Sequence, residues 1–183
     1  MKANRQDIKK QRKAAAALVY KLTGKKLKHL KTGRPFADKS IDISISHKDD
    51  IVAVASVPAP YRIGIDVENL KTRLNAGNFL GTVITKSEIR LLKQFCKRRR
   101  LARSSGIAVF WSIKESFFKC LDYNLKPGKI SVLGIAKNGN ARLGLTDEIG
   151  AIMKKRKLGL CLVKISLRGE YVFSQTVMSG ILS

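Results

Sequence analysis

A chain of 183 residues, 44% of them apolar and 27% charged, is long enough to bury a sizeable core, and this balance excludes disorder over most of its length. Lys and Arg number 37 against 13 Asp and Glu, and the net charge of +24 implies a polyanionic partner without choosing among nucleic acid, an anionic membrane, a nucleotide-like cofactor and an acidic protein. Cys96, Cys120 and Cys161 stand singly, with the spacing of neither a zinc site nor a disulfide framework, and no run reaches the roughly 20 apolar residues that span a bilayer, so a soluble cytoplasmic protein is expected.

From Arg5 to Leu22 the chain is rich in Ala and free of Gly and Pro, which predicts a helix ended by Gly24. A basic stretch with a turn at Gly33-Arg34-Pro35 follows. Ile41, Ile43 and Ile45 then alternate with Asp42, Ser44 and Ser46, a strand with one apolar face that runs into His47. Lys48-Asp49-Asp50 reads as a hairpin loop, Ile51–Val57 as a second strand broken by Pro58 and Pro60, and Arg62–Val67 as a third, so a three-strand meander is expected. Two helices follow, Ser87 to about Arg103 and Ile107–Leu121, with Ser104-Ser105-Gly106 expected to separate them. After Pro127-Gly128 the pattern returns to strands at Ile130–Ile135, Ala141–Leu145, Gly159–Leu167 and Tyr171–Met178. Helix followed by strands occurs twice, the order of two α+β lobes, divided here as 1–68 and 69–183.

Three segments carry chemistry. Alternation along the strand Gly64-Ile65-Asp66-Val67-Glu68 puts Asp66 and Glu68 on one face, about 7 Å apart, and Ile65 and Val67 on the other. Two carboxylates so placed repel unless a cation or solvent lies between them, and hard oxygen ligands suit Mg²⁺; a solvated acidic strand end is the plainer alternative. On the helix around Trp111-Ser112-Ile113-Lys114-Glu115-Ser116-Phe117-Phe118-Lys119, three- and four-residue spacing places Ser112, Glu115 and Lys119 on one stripe while Phe110, Ile113 and Phe117 face elsewhere. Glu115 and Lys119 also suit an ordinary i,i+4 salt bridge. The strand end Ser46-His47 offers a hydroxyl and an imidazole that can both donate to a phosphate, with Arg34 in the turn before that strand.

Taken in order, Gly33-Arg34-Pro35, Ser46-His47, Gly64-Ile65-Asp66-Val67-Glu68 and Trp111-Ser112-Ile113-Lys114-Glu115-Ser116-Phe117-Phe118-Lys119 resemble the 4'-phosphopantetheinyl transferase superfamily. The length is similar to that of its surfactin-synthetase-activating type. That resemblance implies an α+β fold in which two similar lobes in one chain form a pseudo-dimer, each with a small antiparallel sheet packed on helices, and a monomeric state. It implies transfer of the 4'-phosphopantetheine group from coenzyme A to a serine of an acidic apo acyl or peptidyl carrier protein. Asp66, Glu68 and Glu115 become Mg²⁺ ligands, with Asp66, Glu115 and Lys119 at the chemistry. Lys119 meets the pyrophosphate, Ser46 and His47 the 3'-phosphate end, Arg34 the adenosine, and Arg12 (with Lys13 nearly as suitable) a phosphate from the first helix. Members of this type usually carry a strand before that helix; here it begins close to Met1, and the resemblance implies that part of the grip is either missing or replaced by Lys9, Lys10 and the Lys25–Lys31 cluster.

Two other classes compete. The net charge and the run Lys97-Arg98-Arg99-Arg100 with Arg103 suit a nucleic-acid-binding protein, but zinc spacing, an RNA-binding signature and a helix-turn-helix pattern are absent from the sequence, and neither nucleic acid nor membrane is expected as a partner. A degenerate transferase fold kept as a coenzyme A or carrier-protein binding module is the other, although the acidic positions and the lysine are all present.

Overall fold

The structure, a computed structural model, describes residues 5–72, 82–123 and 126–180. Helix α1 (Arg5–Thr23) buries Ala15 and Val19, the latter packing with Ile43, and stops at Gly24, which adopts the left-handed conformation at φ +68°. The two-residue strands β1 (Lys28–His29) and β2 (Pro35–Phe36) pair around the Gly33-Arg34-Pro35 turn. Strands β3 (Ile41–Lys48) and β4 (Ile51–Pro58) form the expected hairpin, turning at Asp49 and Asp50.

The third strand, β5 (Arg62–Asn69), does not extend that hairpin into a meander. Its backbone pairs with β9 (Tyr171–Gly180), which pairs in turn with β8 (Leu158–Arg168), so the strand order is β5-β9-β8. On the opposite edge of β5 the N–H groups of Ile63, Ile65 and Val67 donate to side chains of β3: Asp42 Oδ2 at 2.8 Å, Ser44 Oγ at 3.0 Å and Ser46 Oγ at 3.2 Å. A strand repeats every two residues in both its side chains and its edge N–H groups, so the polar face of β3 stays in step with β5 and satisfies it where a neighbouring backbone otherwise would.

Helices α2 (Glu88–Arg99) and α3 (Arg103–Leu121) fill the middle. The break between them lies at Arg100–Ala102, with Arg100 left-handed at φ 53°, and not at Ser104-Ser105-Gly106. Gly106 is inside α3 because the helices cross closely: a Cβ there would lie 2.3 Å from Cys96 Sγ and 2.8 Å from Leu92 Cδ1. From Ser105 to Leu121 only Trp111, Glu115 and Lys119 escape full burial, making α3 the spine of the protein. It lies on β5 and β9 without a gap, since a Cβ at Gly64 would fall 1.9 Å from the carbonyl of Ser116, and Ser116 Oγ meets Thr176 Oγ1 at 2.9 Å.

A 3-10 turn at Pro127–Lys129 leads into β6 (Ile130–Ile135), which pairs with β7 (Ala141–Leu145). Helix α4 (Asp147–Lys155) follows, unanticipated, burying Ile149 and Met153. The whole is a mixed α+β fold of small antiparallel sheets on helices, and among the described residues no helix is long and apolar enough to cross a membrane.

Candidate functional site

Strand β5 and helix α3 supply the acidic centre. Gly64, Asp66 and Glu68 share the face of β5 that α3 covers, as alternation requires, and the absent side chain at Gly64 lets the helix approach closely enough to bring its own stripe alongside. That stripe is Trp111, Glu115 and Lys119, each four residues from the next, and not the Ser112-Glu115-Lys119 set read from the sequence. Ser112 is fully buried in the helix packing, its hydroxyl without a hydrogen-bond partner among the described residues.

Asp66 is buried to 4% exposure. Its Oδ1 accepts from Lys119 Nζ at 2.7 Å and from Ser46 Oγ at 3.1 Å, whereas its Oδ2 is buried with no hydrogen-bond partner among the described residues. Ser174, directly across the sheet from Asp66, also has a buried hydroxyl with no partner among the described residues. Glu68 accepts from Trp111 Nε1 at 3.1 Å on Oε1 and pairs with Lys48 Nζ at 2.7 Å on Oε2. Burial pushes the Glu115 carboxyl above its ordinary range, the negative charge of Asp66 raises it further, Lys119 draws it back, and Glu68 adds a smaller upward push. The three carboxylates therefore feel one another although 47 positions separate Glu68 from Glu115 in the chain.

Two hollows adjoin this centre. The larger, about 1420 Å³, lies between α1 and the β3–β4 hairpin and is lined among others by Arg12, His29, His47 and Lys48; Lys13 is not on its wall. The smaller, about 350 Å³, is lined by Arg34, Ser44, Glu115, Lys119 and Tyr123, and the two share Pro35 and Ile45. Ser46 and His47 leave β3 on opposite faces, so they cannot grip one phosphate together: His47 is exposed in the larger cleft, while Ser46 is buried against Asp66 and also accepts from Lys119 at 3.1 Å. Arg34 is drawn inward, both oxygens of Asp42 accepting from its Nη2 at 2.8 Å, with Asp122 at 3.6 Å from its Nη1. It holds the turn to β3 and to the end of α3 and forms part of the smaller pocket's wall.

Among the described residues no three His, Cys, Asp or Glu side chains stand ready-made around a single metal position, and lysines engage Asp66 and Glu68. The donor set nevertheless fits a hard divalent cation. Asp66 Oδ2 is a buried carboxylate oxygen open to a positive partner, and Glu115 is a carboxylate whose charge is penalised by burial and by Asp66 and Glu68.

The sequence reading gave no role to Lys48 or Trp111, the two donors on Glu68, nor to Lys114, which is fully buried and donates from Nζ to Glu88 Oε2 at 2.9 Å and to the Val83 carbonyl at 2.5 Å. Trp111 could have been found as the residue four positions before Glu115 on the same helix face.

No curated protein matches the chain. Solved structures do. An acyl-carrier-protein synthase of Chronobacterium ammoniagenes, in complex with coenzyme A, is 20% identical with a TM-score of 0.52, over 66% of this chain and 97% of that one. The holo-acyl-carrier-protein synthase of Neisseria meningitidis is 20% identical with a TM-score of 0.50, over 64% and 97%. That of Plasmodium yoelii is 15% identical with a TM-score of 0.50, over 64% and 92%. These likenesses show a shared fold. The family model of the 4'-phosphopantetheinyl transferase superfamily matches residues 62–154, from β5 through α3 to α4, which is half of the sequence and contains Asp66, Glu68, Glu115 and Lys119, and the chain belongs to that superfamily.

Proposed function

We propose that the protein transfers the 4'-phosphopantetheine group of coenzyme A to a serine of an apo acyl or peptidyl carrier protein in the cytoplasm. The observation that carries this reading is the stripe of Glu115 and Lys119 on α3, set against Asp66 of β5 beside a pocket that shares Pro35 and Ile45 with the cleft lined by Arg12 and His47. In the reaction the serine oxygen bonds to the β-phosphorus, the bond from that phosphorus to the bridging oxygen breaks, and 3',5'-ADP leaves. Glu115 receives the serine proton, directly or through a water, or serves as a ligand. Lys119 offers positive charge to the pyrophosphate, while Arg12 and His47 in the larger cleft offer donors to the 3'-phosphate end. Arg34 contributes through the turn it clamps. Asp66, Glu68 and Glu115 would hold Mg²⁺, which when bound supplies neutralising charge for the pyrophosphate oxygens.

The two-lobed type of the superfamily, acting as a monomer, is part of this reading, with the division drawn ahead of β5 and not at the expected 68/69, because β5 pairs with β9 and packs under α3. The family match begins at Arg62, and about two-thirds of this chain suffices to cover nearly all of each solved neighbour, which supports taking α1 to β4 as what this chain adds. That segment supplies Arg12, Arg34, Ser46 and His47, and its serines and Asp42 saturate the edge of β5.

The deciding experiment is incubation with coenzyme A, Mg²⁺ and a panel of apo carrier proteins, followed by intact mass. A gain of one phosphopantetheine, lost with EDTA, is expected. Binding of coenzyme A without transfer to any carrier would favour a binding module instead.

A further inference from the structure

Lys48 closes β3 at the mouth of the larger cleft, next to the exposed His47, and reaches across to Glu68, Nζ to Oε2 at 2.7 Å. The pair is well sheltered, with side-chain exposures of 27% for Lys48 and 13% for Glu68. Asp49, the next residue, does not take the place of Glu68: it accepts from Asn69 Nδ2 at 2.7 Å and from Tyr171 Oη at 3.4 Å. Glu68 is thus held by two donors, since Trp111 Nε1 occupies Oε1 at 3.1 Å. The indole is neutral and can stay when Glu68 takes on a further partner. The ammonium cannot stay without cost, because a divalent ion on the same carboxylate would lie within a few ångströms of it and like charges at that distance repel strongly in a sheltered site.

From this geometry we infer that Lys48 is an internal counter-cation of the acidic centre: it neutralises Glu68 until a divalent ion binds, and is then displaced into the cleft that holds Arg12 and His47. The inference rests on the transferase reading above for the identity of the ion's ligands. Lys119 does not play this part. It is bonded to both Asp66 and Ser46 and belongs to the helix stripe, whereas Lys48 enters from the hairpin and has the open cleft beside it. Once released, its ammonium joins Arg12 on a cleft wall that also carries Asp7, Asp49 and Asp50, which can receive the displaced charge.

The test measures divalent binding directly, with Mn²⁺ as the probe read from the free-ion EPR signal and Mg²⁺ as competitor, on the full-length protein. Lys48→Met is expected to bind Mn²⁺ more tightly than the natural protein, on the order of tenfold. Lys48→Arg, which keeps the charge, should stay near the natural value. Glu68→Gln should weaken Mn²⁺ and erase the gain when combined with Lys48→Met. An unchanged or weaker Mn²⁺ affinity in Lys48→Met overturns the counter-cation role while leaving the metal site intact, provided Glu68→Gln still weakens binding. Natural-level binding by Glu68→Gln, or no Mn²⁺ binding by the natural protein and Lys48→Met alike, overturns both this inference and the assignment of the metal ligands. Emission of Trp111, the single tryptophan of the chain and a neighbour of Glu68, gives an independent reading of the same titrations.

Discussion

Helix α3 carries two lysine–carboxylate pairs five residues apart, and they are built to opposite ends. Lys114 and Glu88 are sealed from solvent, at 0% and 1% exposure, and every demand is met: Glu88 also accepts from Thr85 N at 2.7 Å and from Val132 N at 2.6 Å. Lys119 and Asp66 are left incomplete, with Lys119 32% exposed and one oxygen of Asp66 buried without a partner among the described residues. A saturated pair ties four segments together, namely α3, the start of α2, β6 and the turn at Val83–Thr85, and has nothing left to offer a ligand. An unsaturated one holds unspent electrostatic capacity, which is what a substrate or ion can use.

The sharpest way to break the comparison is to change neighbouring residues, one from each end. Lys114→Met leaves Glu88 charged and buried without its counter-ion and should cost about 3 kcal/mol of stability, a large drop in the denaturant midpoint. Activity per folded molecule should change much less. A midpoint close to the natural one would show that Glu88 finds another proton or partner and that the saturated pair is dispensable. Glu115→Gln should behave in the reverse way. It removes a charge that burial and two carboxylates penalise, so stability should hold or rise, while transfer falls by a factor on the order of 10² or more. Near-normal turnover at saturating Mg²⁺ would overturn the catalytic assignment of Glu115 and leave Lys119 as the counter-ion of Asp66.

A smaller effect is expected at the cleft, which differs from the centre in being open. His47→Ala should weaken coenzyme A by roughly tenfold and 3'-dephospho-coenzyme A by little, as measured by calorimetry, because an exposed donor contributes one charge-assisted contact. Equal weakening of both would mean that His47 shapes the hairpin and touches no phosphate.

What could be read from the chain divides along the same line between local and non-local. Helix α1 and its stop at Gly24, the β3–β4 hairpin and the shared face of Asp66 and Glu68 follow from short-range periodicity and are where the sequence puts them. The same alternation rule separates Ser46 from His47, yet the motif they form invites treating them as one phosphate grip. Helix α4 had its signals too: Thr146-Asp147-Glu148 ahead of Ile149, Ile152 and Met153, with Lys154 and Lys155 at the end. The pairing of β5 with β9 had none, because the partners lie about a hundred residues apart and a buried strand reads alike whichever neighbour it takes. The counter-ions Glu88 and Lys48 were hidden for that reason as well: nothing in the local pattern of a helix or hairpin says which charge will meet another across the fold.

The smallest effect belongs to the basic surface at the end of α2, the region least like either pair. Lys97, Arg98, Arg99 and Arg100 are exposed there and follow the helix to its C-terminus, where positive charge also complements the helix dipole, so a purely local role accounts for some of them. Arg99 is further spent on the Lys137 carbonyl, to which its Nη2 donates at 3.0 Å, tying α2 to the β6–β7 turn. Lys97 and Arg98 are therefore the cleaner probes of carrier docking. Carrier proteins present acidic helices, and rim charges of this kind act on encounter more than on the bound contact. Lys97→Glu with Arg98→Glu should raise KM for the carrier by about threefold to tenfold, steepen at low salt, and leave kcat and KM for coenzyme A where they were. A carrier KM that does not move between low and high salt in this variant would assign the run to helix termination alone and send the search for the docking face to the other basic surfaces of the chain.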